Sequence, residues 1–415
     1  MSSCWRIFWL ELLSLVRGKT FALLLIAAGS WTLLAPHLVR GDGTVEGAQE
    51  LVLKYALGGV AVILAVSILV AGAGSIACER ETHRLQLTIV RPVASFFVVL
   101  GRILALSAVS ALVLAASALL YLVAVPHSSL SAEPCSHVLK PVMPSPREEA
   151  ESVYDAFINE PETPAEIRRA PKEVILRLLA QRALDRYQSV VPDSTESWRF
   201  KLPPDCREAS VRLRLANLYG QRRHISGRLS MGGATATVEN ITQAICEFRL
   251  EGRPEGEELK LANTGKDAML LRPRKDIQIL VPADGFMANL LRAYLQLVSL
   301  LTLMAAFSVA LSAFLGRPVA VFVAVVTLVL AEMSPSVIEQ YPDELETDRV
   351  DAIGLFLSRL AVEATHPVSA VNPVEKLAEK ECVEWRETVK VLAMDAVLLP
   401  IMLALLAALA IPRKQ

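Results

Sequence analysis

The chain has 415 residues, 53% of them hydrophobic and 20% charged, with a formal net charge of −1. A soluble protein rarely gathers so much apolar sequence into long unbroken blocks, and a charge this close to zero gives nucleic-acid binding no electrostatic support. Crossing the hydrocarbon core takes roughly 20 helical residues. Segments 20–38, 55–77, 97–125, 288–315, 318–333 and 389–411 meet that need or come close to it.

Residues 4–17 carry Trp5, Phe8, Trp9, Leu12, Leu13 and Val16 beside Arg6, Glu11 and Arg17, a pattern that predicts an amphipathic helix in the inner interface. The apolar run after it is a full span long and has no small-x-small cleavage site, so it reads as a span and not as a signal peptide. The second run ends in a charged elbow, Glu79-Arg80-Glu81-Thr82-His83-Arg84-Leu85. The elbow leads through Arg91-Pro92 and Gly101-Arg102 into the third run. A short charged segment held between two spans on the inner side suits docking to a soluble engine. Gly58-Gly59 and Ala71-Gly72-Ala73-Gly74 permit close packing of spans.

The block 126–287 differs in composition from its surroundings. Residues 126–150 are rich in Ser, Pro and Glu and read as a linker. Thr163-Pro164-Ala165-Glu166 has the chemistry of a helix start, and a helical region is expected from there to about Tyr187, interrupted by Pro171. From Ala209 the period becomes two: Val211, Leu213 and Leu215, then Cys246, Phe248 and Leu250, then Leu259 and Leu261, then Ile277, Ile279 and Val281. Gly232-Gly233, Gly252 to Gly256 and Asn263-Thr264-Gly265 mark turns between them. This alternation predicts a β-sandwich. Such a domain suits binding a glycan or a partner protein, or bracing the outer side of the membrane part. The aromatics available for sugar stacking are Trp198, Phe200, Tyr219 and Phe248, some of which belong to a core.

Beyond this block, Leu290–Leu315 and Val319–Leu330 are parted only by Gly316-Arg317-Pro318 and predict a helical hairpin. Residues 334–388 are too polar to span, and Leu345 to Ala364 reads as an amphipathic helix on the outer interface. Asp395, with Lys390 nearby, is the main ionisable residue of the last span and is expected at its wetted outer end. The fold class is therefore a polytopic α-helical membrane protein of six transmembrane helices with an extracytoplasmic α+β domain containing a β-sandwich. Its divisions are 1–125, 126–287 and 288–415.

Orientation follows the basic residues of short loops. Arg6, Arg17, Lys19, Arg80, Arg84, Arg91, Arg102, Arg317, Arg413 and Lys414 fall inside if both termini are cytoplasmic. Blocks 126–287 and 334–388 are then outside. That puts Cys135, Cys206, Cys246 and Cys382 on the outer side, where at least one disulfide among them is expected. No phosphate-binding loop, nucleophile elbow or metal-like spacing of His or Cys is present in the sequence, so no catalytic site, metal or cofactor is expected on this chain.

The segment from Glu79 to Ala105 resembles the permease subunits of type-2 ABC exporters. Their pattern is close to E-R-E-x-G-T-L, then R-P, then an apolar stretch ending G-K-x-L-A. Here it stands as Glu79-Arg80-Glu81-Thr82-His83-Arg84-Leu85, Arg91-Pro92-Val93 and Gly101-Arg102-Ile103-Leu104-Ala105, with His83 and Arg84 in place of Gly-Thr. The resemblance covers about 250 residues loosely and leaves 126–287 as an insert. It implies a coupling role toward an ATPase for Glu79, Arg80, Glu81, His83, Arg84, Arg91 and Pro92. It further implies two ATPase subunits that hold ATP and Mg, a second permease copy or paralogue, and the inner membrane of a bacterium. The competing expectation is a membrane-anchored binding or assembly protein whose sandwich domain does the work.

Overall fold

The computed structural model describes residues 3–38, 45–81, 94–124, 138–144, 172, 176, 188–203, 206, 208–216, 224–241, 245–252, 254–283, 285–340 and 372–411. They fall into two compact units, one of Met1–Ser136 with Gly285–Gln415 and one of His137–Asp284.

The first unit is helical: α1 Ser3–Arg17, α2 Lys19–Leu38, α3 Val45–Glu81, α4 Ser95–Ala124, α6 Phe286–Phe314, α7 Arg317–Gln340, α8 Pro373–Ala378, α9 Trp385–Val391 and α10 Leu399–Ala410. Four helical stretches, Leu51–Glu81, Ser95–Val123, Phe286–Phe314 and Trp385–Ala410, are long and apolar enough to cross a membrane, and α1 with α2 adds a fifth if that bent pair counts as one. The bend between them is 64°. It falls at Gly18, where a Cβ would come within 3.1 Å of the Leu15 carbonyl. An amphipathic α1 that turns sharply into an apolar α2 is the arrangement expected of an interfacial helix followed by a span. The apolar part of α7 is a shorter helix, Arg317–Val329. The helix runs on past 333 to Gln340. The amphipathic helix expected over 345–364 lies outside the described residues.

Helix α6 is the centre of this unit. Its most apolar stretch is 72% buried, against 22% for Trp385–Ala410. Small side chains make the burial possible: Ala305, Ala306, Ser308, Ala310, Ser312 and Ala313 all face neighbours. Gly72 of α3 seats against them, since a Cβ there would lie 1.9 Å from the Ser308 hydroxyl. Gly59 similarly receives the Trp31 indole, whose Nε1 donates to the Tyr55 carbonyl at 2.9 Å. Both glycines thus serve packing inside the chain.

The last span holds one irregularity. Residues Leu392–Leu398 form a π-helical stretch in which the Leu399 N–H bonds the carbonyl five residues back, at Met394. Pro400 follows and has no N–H to give, which breaks the ordinary ladder at that level.

The second unit is built of short antiparallel strands: β1 Leu139–Val142, β2 Gln188–Val190, β3 Thr195–Arg199, β4 Ser210–Arg214, β5 His224–Gly232, β6 Ala234–Ile241, β7 Ile245–Arg249, β8 Pro254–Asn263, β9 Met269–Leu271 and β10 Ile277–Pro282, with the single turn α5 Pro273–Asp276 before β10. They form two four-stranded sheets, ordered β1-β10-β4-β7 and β3-β8-β5-β6, and a two-stranded sheet β2-β9. One apolar core draws on both larger sheets: Val211, Leu213, Ile277 and Ile279 from one, and Trp198, Leu229, Met231, Leu259 and Leu261 from the other. The period-two residues are therefore the buried ones, as alternation along a strand requires.

One expectation changes here, and two points are added. The supposed linker contributes a strand, since Leu139–Val142 pairs with β10. Pro141 is tolerated because β1 is an edge. The hairpin β5–β6 was not read from the sequence, although Gly232-Gly233 was read as a turn. Met231 pairs with Ala234 across those two residues, and Gly232 takes φ 59°, the left-handed conformation a two-residue hairpin demands. Trp198 and Phe200 are core residues at 4% and 0% exposure, which removes them as sugar platforms. Phe248 packs half-buried against the same core, and Tyr219 lies outside the described residues. Of the helical region expected over 163–187, only Lys172 and Leu176 are described, and both are helical.

The expected disulfide is not found among the described residues. Cys206, Cys246 and Cys382 are thiols, and Cys135 lies outside the described residues. Cys206 is buried and donates to the Glu208 carbonyl at 3.3 Å. Burial pushes this thiol above its ordinary range, with the Glu208 backbone contact pulling slightly the other way. Cys382 belongs to the helical unit, where the Arg292 guanidinium donates to its sulfur at 3.5 Å. Falling on one side of a membrane does not bring thiols together, because a disulfide needs Cα atoms within about 7 Å.

Candidate functional site

The candidate site is the end of the helical unit where α3 runs into the charged elbow. Glu79 and Arg80 occupy the last turn of α3. Arg102 lies in the second turn of α4, and Glu11 on the polar side of α1. These residues meet although their helices are far apart in sequence.

Arg102 is the hub. It is only 5% exposed, and it uses every arm of its fork. Nη2 donates to Glu79 Oε2 at 2.5 Å, Nε to Glu11 Oε1 at 3.3 Å, and Nη1 to the Ser75 carbonyl at 3.1 Å. Glu79 and Glu11 keep 30% and 34% of their side chains exposed, so the guanidinium is buried while the carboxylates reach toward polar surroundings. A planar five-donor cation is the one side chain that can tie three elements in this way. The neighbouring Gly101 lets α1 approach: a Cβ there would sit 2.8 Å from Ile7 Cγ2.

Arg80 points to the opposite side. It donates to the Ala313 carbonyl at 3.3 Å and to the Leu315 carbonyl at 2.8 Å. These are orphan acceptors at the C-terminus of α6, where a cation also complements the helix dipole. Two adjacent residues therefore fasten α3 to α4 and α6, and Arg102 extends the tie to α1. Glu81, the next residue, is exposed. Of the other residues assigned to coupling, His83, Arg84, Arg91 and Pro92 lie outside the described residues. The sequence marked the elbow as a charged segment, but it did not show that Glu79 and Arg80 bond to neighbouring helices. Nor did it connect Glu11 or Arg102 to them, because a contact between residues 91 positions apart has no local periodic signal.

The opposite end of α6 holds a second buried arginine. Arg292, 4% exposed, donates to the Val383 carbonyl at 3.1 Å and lies 5.1 Å over the Trp385 ring. Asn289, fully buried, accepts from the Val383 N–H at 2.7 Å and donates to the Glu381 carbonyl at 2.8 Å. Gln296 donates to Thr388 Oγ1 at 3.2 Å. These contacts clamp the chain before the last span onto α6. Asp395 lies further along and is not at a wetted end. It is 3% exposed and about 15 Å along the helix that starts at Trp385.

Among the described residues no group of three or more His, Cys, Asp or Glu is gathered for a metal. The chemistry at the α3 end is mechanical: it joins helices and leaves one exposed acidic residue leading outward. No protein-family model, curated protein or solved structure matches the chain.

Proposed function

We propose that the chain is the permease subunit of an ATP-driven exporter of the type-2 ABC kind. In this reading it has six spans, an extracytoplasmic sandwich domain and a second permease copy or paralogue beside it. Separate ATPase subunits supply ATP and Mg. The observation that supports the reading is the lock at the α3 end. Glu79 and Arg80 join that end to α4 and α6, and Arg102 carries the tie on to Glu11 of α1, so a displacement of the elbow is passed to four helices as a rigid body instead of being lost in a loop.

The lock also divides the elbow into two roles. Glu79 and Arg80 carry force within the chain. Exposed Glu81, with His83, Arg84, Arg91 and Pro92, is assigned to the ATPase. The test is co-expression with a candidate ATPase chain, followed by purification in lipid and measurement of ATP turnover. The expected result is a stable complex whose turnover depends on the membrane chain. A chain that purifies alone, with no change in any ATPase's turnover, overturns the reading and favours a membrane-anchored assembly protein.

A further inference from the structure

Asp395 stands at the middle of the π-helical stretch of the last span and is 3% exposed. Helices α6, α9 and α10 pack on that stretch, and every residue of the three is described. No hydrogen bond or ion pair to the Asp395 carboxyl is found among the described residues.

The contact with α6 fixes what stands near this carboxyl. Asn289 bonds Val383 and Gln296 bonds Thr388, so the two helices run in the same direction. Asp395 therefore lies about 10 Å beyond Thr388, near the level of Thr302. Ser299 and Thr302 are buried there, but their hydroxyls donate to the Leu295 and Val298 carbonyls of their own helix at 2.8 Å. The titratable groups of α6 are Arg292 and Tyr294. Arg292 lies about 15 Å back along α6 and bonds the Val383 carbonyl, and Tyr294 donates to the Ala111 carbonyl. Those of α9 are Arg386, Glu387 and Lys390, all exposed, with Glu387 paired to Lys376. Helix α10 has none.

An ionised carboxylate buried without a donor is costly, so such a group is neutralised instead. A metal cation would need several oxygen ligands, and among the described residues no group of three or more His, Cys, Asp or Glu is gathered. A proton needs only the carboxyl itself.

The backbone around Asp395 supplies a way to expose it. The Leu399 N–H bonds the Met394 carbonyl, and Pro400 has no N–H to give. The stretch thus holds an extra residue relative to an α-helical ladder, a device frequent at functional positions. Moving that extra residue along the span turns the residues it passes by about 100°. For Asp395 the turn leads to a side now held by Met394 or Ala396, which are exposed and half-buried.

We propose that Asp395 is a proton-binding site within the last span, closed while the π stretch keeps the carboxyl buried and open to exchange when the stretch shifts. On opening, the carboxyl O–H bond breaks, its electron pair stays on the oxygen and the proton passes to water. Closing reverses the step. The proposal goes beyond the exporter reading and needs no ATPase. Loss of ATPase association would leave it untouched, and its own failure would leave the exporter reading untouched.

The test uses the full chain in phospholipid nanodiscs. Infrared difference spectra of wild type against Asp395→Asn are taken at a pH where ordinary aspartates, with a midpoint of about 3.9, are ionised. The carbonyl stretch of an un-ionised carboxylic acid is expected in the wild type, absent from Asp395→Asn and unchanged when sodium replaces potassium. Asp395→Glu keeps an acid and should restore the band at a shifted position, which covers the case where Asp395→Asn does not fold. Pro400→Ala returns an N–H to the ladder and should speed deuterium exchange of the acid proton about tenfold. Melting profiles like that of the wild type show which variants are folded. An acid band missing from the wild type, or lost on adding sodium, would overturn the site, and unchanged exchange in folded Pro400→Ala would overturn the gate.

Discussion

Among the described residues of the helical unit two arginines are buried, and the partners seen around them differ. Arg102 is surrounded by carboxylates from two other helices, Glu11 and Glu79. Arg292 makes contact with a backbone carbonyl, a thiol and an indole face. Burial is nearly the same, 5% and 4%. The difference lies in what each would leave behind. Removing Arg102 strands two anions close together at the edge of an apolar bundle. Removing Arg292 takes a donor from the Val383 carbonyl and a cation from the Trp385 ring. A cation bonded to two carboxylates is a lock whose failure is costly, and bonds from a cation to neutral groups make a clamp that can loosen.

The largest effect should therefore come from Arg102→Met. With Glu11 and Glu79 about one-third exposed, the usual cost of breaking a buried pair is discounted to about 2–3 kcal/mol, seen as a lower melting temperature in detergent. Adding Glu79→Gln to Arg102→Met should recover part of that loss. If the double variant is no better than the single, charge is not what the site is balancing. Arg102→Lys should not rescue, because a point ammonium cannot reach Glu11, Glu79 and Ser75 at once.

At the other end, Asn289→Ala is expected to cost about 1–3 kcal/mol, since it leaves the Val383 N–H and the Glu381 carbonyl without their partner in a buried place. Arg292→Met comes next, with about 1–2 kcal/mol from the Val383 carbonyl bond and the Trp385 cation–π contact that it loses. If Arg292→Met proved costlier than Arg102→Met in the same melting assay, the contrast between lock and clamp would be reversed.

The smallest change in stability should come from Glu81→Lys, within about 0.5 kcal/mol, because the side chain is exposed. Under the proposed function that same variant should weaken recovery of the ATPase, while Arg102→Met lowers the melting temperature first. Co-purification beside a melting curve separates the two, and equal effects on both readouts for both variants would remove the division between force-carrying and partner-facing residues.

Thiol labelling adds a pH axis. Burial raises the Cys206 thiol, so its thiolate is scarcer than that of an ordinary cysteine at neutral pH. Its alkylation should stay slow there and climb only as pH passes beyond the ordinary thiol range, whereas exposed Cys78 should label readily. Rapid neutral labelling of Cys206 would show that the core around it opens.

Much of the architecture was legible before any coordinates. Long apolar runs can only be buried in lipid or in one another, so the helices at 51–81, 95–123, 286–314 and 385–410 follow from composition alone. Strand alternation at Val211, Leu213, Ile277 and Ile279 marked the buried face, because a strand has only two faces. The hairpin β5–β6 was less legible. Gly227 interrupts its inner face and Ala234 and Ala236 are small, so the apolar signal is weak even though the pairing is continuous. Gly227 has its own reason: a Cβ there would come 2.9 Å from the Ala262 carbonyl.

What the sequence by itself determined is which segments are apolar, which alternate, and where charge is concentrated, since each of these is set by neighbours within a few residues. Only the tertiary structure decided what the charges do. It bonded Glu79 to Arg102 and Arg80 to the end of α6, joined Arg102 to Glu11 across 91 positions, and put Asp395 inside the last span instead of at its edge. The physical reason is that a long-range ion pair depends on where whole helices come to rest, and that is settled by the packing of small residues such as Gly72 against Ser308 and Gly101 against Ile7, not by the chemistry of the charged residues themselves.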